Sequence, residues 1–558
     1  MSTKANDAAP EAEPASRRGA LSHRQILTVL SGLMLGMFLA ALDQTIVSSA
    51  MKTIADELHG QTLQAWATTA YLITATLSTP LYGKLSDLYG RKPMYLTAIS
   101  LFLAGSLASG MAGSMYELAA FRAFQGLGAG GLMSLALAII ADITSPRERS
   151  RYQGYFMAVF GISSVAGPVV GGFFAGLDSF AGVTGWRWVF LVNVPIALAA
   201  LVVVSKVLNI PHTRVAQKID FLGAVTLALG IVPLLIVAEQ GREWGWGSPL
   251  SLLTYAVGTV GLIAFVLVER RMGDAALLPL RLFRRPVFRM STVITFVQGV
   301  GMFGAMMSLP LYLQIVKGAT PTQAGLQLLP LTLGIMVATM SSGIVISRTG
   351  RYKAFAVAGL GLMSAALFGF ATIGVDTALA TVMAIAFVLG LGLGASMQTL
   401  QLAAQNDVPA KDMGVATSSS TFFRQIGGTA GTAVFMSILF GVVGGRIAAA
   451  VQSAMATPAY PAALANPANA GVARQLGSGS MDLNDTSFLS GLDPALARPI
   501  LEGFSSAMST VFVVGGLVLA AGFALVWFLK EKPLSDKSAL ERRAEDEAAE
   551  APALALAH

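Results

Sequence analysis

Apolar runs of about twenty residues recur almost throughout this chain, separated by short polar turns. A run of that length, coiled as a helix, crosses a bilayer core of about 30 Å. The pattern predicts spans near 25–50, 63–82, 93–113, 117–141, 152–175, 187–208, 219–240, 250–269, 289–314, 322–346, 353–373, 378–404, 414–445 and 500–529. Fourteen spans, an even number, put both termini on one side of the membrane.

Composition agrees with an all-α polytopic membrane protein. Of 558 residues, 54% are hydrophobic and 12% charged, where a soluble domain carries about 25% charged residues. The basic residues sit in short loops, so the sequence pI of about 9.5 reflects membrane orientation rather than nucleic-acid binding. Alternate loops collect Lys84, Arg91 and Lys92, then Arg147, Arg149 and Arg151, then Arg281, Arg284 and Arg285, then Arg348, Arg351 and Lys353. The positive-inside rule makes these loops, and hence both termini, cytoplasmic. No cysteine is present, so disulfides and thiolate metal sites are excluded. His23, His59, His212 and His558 are scattered without metal-ligand spacing, and no G-x-x-x-x-G-K-[ST] phosphate loop occurs. The expectation is a chain that is no enzyme and holds neither metal nor cofactor.

An internal repeat organises the spans. Gly83, Gly90 and Arg91 recur as Gly343, Gly350 and Arg351, and Asp142 has a weaker echo in Asp407. Two parallel six-helix halves follow, with a substrate site at their interface. The predicted layout is a disordered cytoplasmic tail (1–24), a first six-helix bundle (25–208), and a linker carrying two inserted spans (209–288). A second bundle (289–529) includes an external loop at 450–499, and a cytoplasmic tail (530–558) closes the chain.

Charged residues inside spans are costly and mark function. Asp43 in the first span and Arg122 in the fourth fall at similar depth. Burial favours a neutral acid and a neighbouring arginine favours the carboxylate, so such a pair suits a proton carrier and its modulator. A static charge pair locking two helices is the alternative. Gly83–Lys92 forms a glycine-bounded charged turn, in which Asp87, Arg91 and the distant Asp142 predict a charge network that gates the cytoplasmic side. In span five, Gly161, Gly167, Pro168, Gly171 and Gly172 predict a kinked helix with a flat face, set against a helix of the other half. Gly126, Gly128 and Gly131 satisfy G-x-G-x-x-G, but inside a span the reading is close helix packing. Gln44, Tyr71, Met302, Phe303, Met306 and Arg424 are candidates for a substrate cavity, methionine suiting loose recognition. Arg424 either reaches the cytoplasmic surface or faces the cavity, and Glu239, near Trp244 and Trp246, is read as interfacial.

The run Gly83-Lys84-Leu85-Ser86-Asp87-Leu88-Tyr89-Gly90-Arg91-Lys92 resembles the signature loop of the major facilitator superfamily. Arg122-Ala123-Phe124-Gln125-Gly126-Leu127-Gly128 resembles its fourth-helix motif, and Gly167-Pro168-Val169-Val170-Gly171-Gly172 its antiporter motif. Trp186–Pro195, Leu282–Arg284 and Leu309–Gln314 extend the likeness to the fourteen-helix drug:proton antiporter branch, over about 25–530. The first span departs from that pattern, with Ser48 in place of Asn and Met51-Lys52 in place of Leu-Pro. The resemblance implies proton-driven efflux of amphipathic, drug-like compounds, cationic or neutral, by alternating access in a bacterial plasma membrane. Its partners would be a small substrate, protons and lipid, without nucleic acid, and the protein a monomer. Export of one metabolite or a lipid, or a sensor that transports nothing, are the alternatives.

Overall fold

The computed structural model describes residues 23–59, 64–209, 220–466, 469, 492–535 and 541. The expected tails over 1–22 and most of 536–558, and residues 467–468 and 470–491 of the predicted external loop, lie outside the described residues. The helices are α1 (His23–Glu57), α2 (Gln64–Tyr89), α3 (Arg91–Gly110), α4 (Met115–Ile143), α5 (Pro146–Ala175), α6 (Trp188–Leu191), α7 (Asn193–Val207), α8 (Phe221–Trp244) and α9 (Pro249–Met272). They continue as α10 (Pro286–Ile315), α11 (Pro321–Gln327), α12 (Leu329–Thr349), α13 (Lys353–Phe370), α14 (Leu379–Asn406), α15 (Met413–Met455), α16 (Ala459–Ala465) and α17 (Pro494–Val526). A two-residue hairpin, β1 (Ser179–Phe180) and β2 (Val183–Thr184), follows α5.

Among the described residues, 13 helical stretches are long and apolar enough to cross a membrane. The remaining predicted span, α2, falls short in apolarity because it carries Thr68, Thr69, Thr74, Thr76, Ser78 and Thr79. Thr76, Ser78 and Thr79 are buried, and the Thr79 hydroxyl donates to its own helix at Ala75 O (2.8 Å), so the polarity is absorbed inside the protein.

Several elements differ from the sequence expectation. The charged turn at 83–92 is mostly helix: α2 runs to Tyr89, and the chain turns on Gly90 alone, at φ 98°. Only glycine takes that conformation freely. Its repeat, Gly350, ends α12 at φ 68°. The fifth helix begins at Pro146, not near 152, because Ser145 and Glu148 form a capping box ahead of it. The sixth span is broken between Leu191 and Asn193. The thirteenth continues as α15 to Met455, and the fourteenth starts at Pro494, so both ends of the 450–499 segment are helical. Residues 530–535, expected in the C-terminal tail, are docked: Glu531 accepts from the Tyr352 and Lys353 backbone (2.7 and 3.0 Å), and Asn406 donates to Pro533 O (3.1 Å).

Each half has its own apolar core. Leu33, Tyr95, Phe102, Leu135 and Phe156 are buried in the first, and Leu309, Leu360, Leu389, Phe435 and Phe512 in the second. Glycines set the helix spacing in the first half. A Cβ at Gly128 would meet Phe102 N at 2.5 Å, and one at Gly131 would meet the Tyr82 ring at 2.7 Å. The G-x-G-x-x-G pattern is therefore a packing seam for α4 against α2 and α3. The halves meet where α2 packs on α15 and α5 on α12, a reciprocal pairing that follows from the sequence repeat. The inserted pair α8–α9 leans on this seam through Leu227, Ile231 and Phe265, which cluster with Ile73 and Phe422.

Candidate functional site

The first half holds a charge cluster buried among helices. On α1, Leu39, Leu42 and Ile46 fill the core around Asp43, which is itself 0% exposed. Arg122 Nη1 donates to Asp43 Oδ2 at 2.5 Å. Gln125 Nε2 and Asn193 Nδ2 donate to Asp43 Oδ1 at 2.9 and 2.8 Å. The Arg122 guanidinium stacks 4.1 Å over the Tyr71 ring and donates to Gln125 Oε1 at 2.9 Å. Asn193 also donates to the Ser106 hydroxyl (3.0 Å), which donates to Phe190 O (2.9 Å). Two helices besides α1, α4 and α7, thus converge on one carboxylate. Every one of these contacts is a donation to the carboxylate, which as an ion accepts them all.

The predicted pair of Asp43 and Arg122 is brought together, and two partners were missed by sequence reasoning. Gln125 lies three residues after Arg122, on the same helical face, which the spacing could have shown. Asn193 stands at the break between α6 and α7, where a polar residue in an apolar run was the available signal.

A second charge cluster closes the end of the molecule that carries Gly90 and Gly350, called here the basic end. Arg91 Nε donates to Asp142 Oδ2 at 2.6 Å, its Nη2 lies 2.7 Å from Asp87 Oδ1, and Nη1 donates to the Ser86 hydroxyl. Asp87 and Arg91 press against Gly414 at the start of α15, where a Cβ would lie 2.5 Å from both. That position sets the Asp87 carboxylate at a helix N-terminus, which favours negative charge. A Cβ at Gly83 would come within 2.7 Å of Ser418 Cβ and closer still to its hydroxyl. Gly83, Asp87 and Arg91 therefore meet the second half here, while Asp142 holds Arg91 within the first half and Gly90 forms the turn beside it.

Arg149 was read only as a loop cation, yet it is a buried bridge. It donates to Gln405 Oε1 of the other half and to Ala141 O (2.7 Å), while Gln405 Nε2 donates to Thr417 (2.8 Å). Arg281 forks onto Asp412 at 2.6 and 2.8 Å, tying the segment after α9 to α15, and this bond with the Asp412 carboxylate raises the Arg281 pKa above its ordinary value. In the second half the repeat of Arg91, Arg351, is exposed. Asp407 is paired instead with Lys532 of the docked C-terminal segment, at 2.5 Å.

The span-five motif is split between neighbours. The expected flat face against the other half is found only at Gly161, where a Cβ would meet Thr332 of α12 at 3.1 Å. Gly167 and Gly171 pack instead on Thr45, Ile46 and Ser49 of α1, in their own half, and Thr45 donates across to Ser163 O at 3.0 Å. Gly172 faces no neighbour, and Pro168 lies inside the helix. Small residues here let α1 and α5 approach closely within one bundle.

The cavity candidates divide similarly. Gln44 is exposed and Tyr71 is buried under Arg122. Phe303 lays its ring on Gly428, and Met306 is 40% exposed. Met302 instead packs into the core of the second half. Arg424 is buried in α15 and forms no hydrogen bond or ion pair with another described residue. A separate cavity of about 350 Å³ opens between the inserted pair and α15, lined by Leu234, Val237, Trp246, Tyr255 and Val434. The side chain of Glu239 lies outside the described residues.

Comparison with known proteins gives the same architecture. Residues 33–432 match the model of the Major Facilitator Superfamily. Over 96% of this chain and 98% of the relative's, the sequence is 32% identical to the multidrug transporter protein MdtP of Bacillus subtilis. It is 44% identical to a tetracycline resistance determinant of Streptomyces rimosus, over 58% of this chain and 95% of that one. The solved proton:xylose symporter XylE superposes with a TM-score of 0.60 at 16% identity, covering 94% of this chain and all of that one. That last likeness is one of fold. With paired six-helix halves, a shared interface and a family match over most of its length, the chain belongs to the major facilitator superfamily of membrane transporters.

Proposed function

We propose that this transporter exports amphipathic, drug-like compounds from a bacterial cell in exchange for protons, by alternating access. The observation that carries the reading is Asp43: a carboxylate with no solvent exposure, held by Arg122, Gln125 and Asn193 inside the membrane-spanning bundle. An intramembrane acid is expensive and is kept where its charge is used. Proton arrival from outside would neutralise it and release Arg122 and the two amides, and these sit on α4 and α7, so the helices they hold are freed to shift. Relatives named as multidrug transporters and efflux pumps support export of small compounds as the use of that cycle.

The basic end is taken as cytoplasmic, with both termini there, in the plasma membrane. In this arrangement the contacts of Gly83, Asp87 and Arg149 with the second half hold the cytoplasmic side shut. Asp87 and Arg91 act as the latch, and loss of their contact with the α15 terminus opens the path to substrate. The energy source is the proton gradient, and no resident cofactor takes part.

The test is transport by purified full-length protein in sealed vesicles under an imposed pH gradient. Uphill movement of an amphipathic dye that collapses when the gradient is dissipated supports the reading. Movement that ignores the gradient, or none for any amphipathic compound, contradicts it.

A further inference from the structure

Among the described residues, four arginines are buried: Arg91, Arg122, Arg149 and Arg424. The first three are bonded to Asp142, Asp43 and Gln405. Arg424, 7% exposed, has no such partner. It lies eleven residues along α15 from Met413, roughly 16 Å from the basic end, near the middle of a core about 30 Å thick. A lone cation there costs a few kcal/mol.

Its neighbours on α15 fix its direction. Gln425 faces α2, where Thr79 donates to its side chain (3.4 Å). Gly427 packs on Phe296 of α10, and Phe422 and Ile426 pack against the inserted pair. At 3.6 residues per turn, Arg424 falls between Gly427 and Gly428, which both pack on α10, and opposite the inserted pair.

A polar stripe meets it there. On α14, Gln398, Gln401 and Gln405 are three and four residues apart and share a face. The bond from Gln405 to Thr417 sets the antiparallel register, which brings Gln401 level with Thr421 and Gln398 level with Arg424. Gln398 and Gln401 are 5% and 2% exposed. The carbonyl oxygen of Gln398 and both polar atoms of the Gln401 amide are buried without a hydrogen bond. Buried amides are ordinarily satisfied, so these orphaned atoms beside an orphaned guanidinium point to a ligand. α10, α14 and α15 carry no Asp or Glu. The guanidinium and the Gln401 amide nitrogen are donors with uncompensated positive charge, which matches a carboxylate, while the Gln398 and Gln401 carbonyl oxygens are acceptors left for a hydroxyl or amine of the same ligand. Phe303, on Gly428 one turn from Arg424, adds an apolar wall.

We propose that Arg424, with the Gln401 amide nitrogen, receives the carboxylate of an amphipathic substrate, so that this transporter favours acidic over cationic compounds of the same shape. The proposal rests on the efflux reading above and specifies its substrate class, replacing the cationic or neutral substrate expected from the sequence resemblance.

Fluorescein and rhodamine 123 share one xanthene scaffold, the first with a free carboxylate, the second an esterified cation. Binding of each to purified full-length protein is measured by fluorescence anisotropy. Fluorescein binds tighter by about tenfold or more. Arg424→Gln costs fluorescein about tenfold, or about 1.4 kcal/mol, Arg424→Lys recovers part of it, and Gln401→Ala costs several-fold. Equal or tighter binding of rhodamine 123, no saturable fluorescein binding, or unchanged fluorescein affinity in Arg424→Gln overturns the proposal. Where Arg424→Gln does not give monodisperse protein, Gln401→Ala decides by the same criterion. In vesicles, uphill movement of rhodamine 123 but not fluorescein leaves efflux standing and removes the anion site. Tight fluorescein binding with no uphill movement of either dye does the reverse.

Discussion

Gly83→Ala tests the gate with a single methyl group. The new Cβ would stand within 2.7 Å of Ser418 Cβ, closer to the Ser418 hydroxyl, and 3.0 Å from Gly414 O. Ser418 lies on α15, in the opposite half, so the overlap is relieved by parting the halves at the basic end. Overpacking of this kind costs about 1–3 kcal/mol, which is a shift of roughly 5- to 150-fold in the ratio of closed to open states. The native chain has no cysteine. Spin labels can therefore be placed at Tyr89, 51% exposed, and at Arg351, also exposed, at the repeat-related turns of the two halves. Pulsed dipolar spectroscopy should give one short distance for the parent and a longer population for Gly83→Ala. Ser418→Gly removes two of the three offending atoms and should restore the short distance in the double variant. An unchanged distance distribution in Gly83→Ala, or failure of Ser418→Gly to restore it, refutes the assignment of this contact as the gate.

Three further outcomes follow. Arg149→Met should lengthen the same distance, because it removes the donor to Gln405 while leaving Gln405 bonded to Thr417; unchanged spectra would make Arg149 a support of its own half only. Lys532→Ala should lower the thermal unfolding midpoint by leaving Asp407 without its cation. Removing one partner of a buried pair costs about 3–5 kcal/mol, and because Lys532 is half exposed the loss here is about 1–2 kcal/mol, with no added loss in a Lys532→Ala, Asp407→Asn double variant beyond that of Asp407→Asn. Of single cysteines at Tyr89 and Met455, only that at Met455 should react with a membrane-impermeant reagent on intact cells, and that at Tyr89 only after permeabilisation; the reverse pattern inverts the topology.

The apolar periodicity and the glycine–arginine repeat were enough to read the span number and the paired halves. Asp43 and Arg122 stood out because charge is rare inside spans, and Asp87 and Asp142 because basic residues that set orientation need no acids beside them. Contacts between distant elements were less legible. Gly167 and Gly171 announce close packing but not which helix approaches, and here it is α1. Arg149 looked like any loop cation until the capping box at Ser145 extended α5 around it. Gln398 and Gln401 are inconspicuous in sequence, because an uncharged amide in a span gains meaning only from what it faces. Lys532 lies in a polar tail, and only its docking shows that it does for Asp407 what Arg91 does for Asp142.

Substrate-induced proton release is the most direct measure of the coupling assigned to Asp43. Purified protein is mixed with saturating transported dye in weakly buffered solution, and protons are followed with a pH indicator. The parent protein should release protons on mixing. Asp43→Asn, which keeps size and polarity but carries no titratable proton, should still bind dye, release none, and lose uphill transport. Proton release from Asp43→Asn equal to that of the parent would contradict the account and move the coupling site elsewhere.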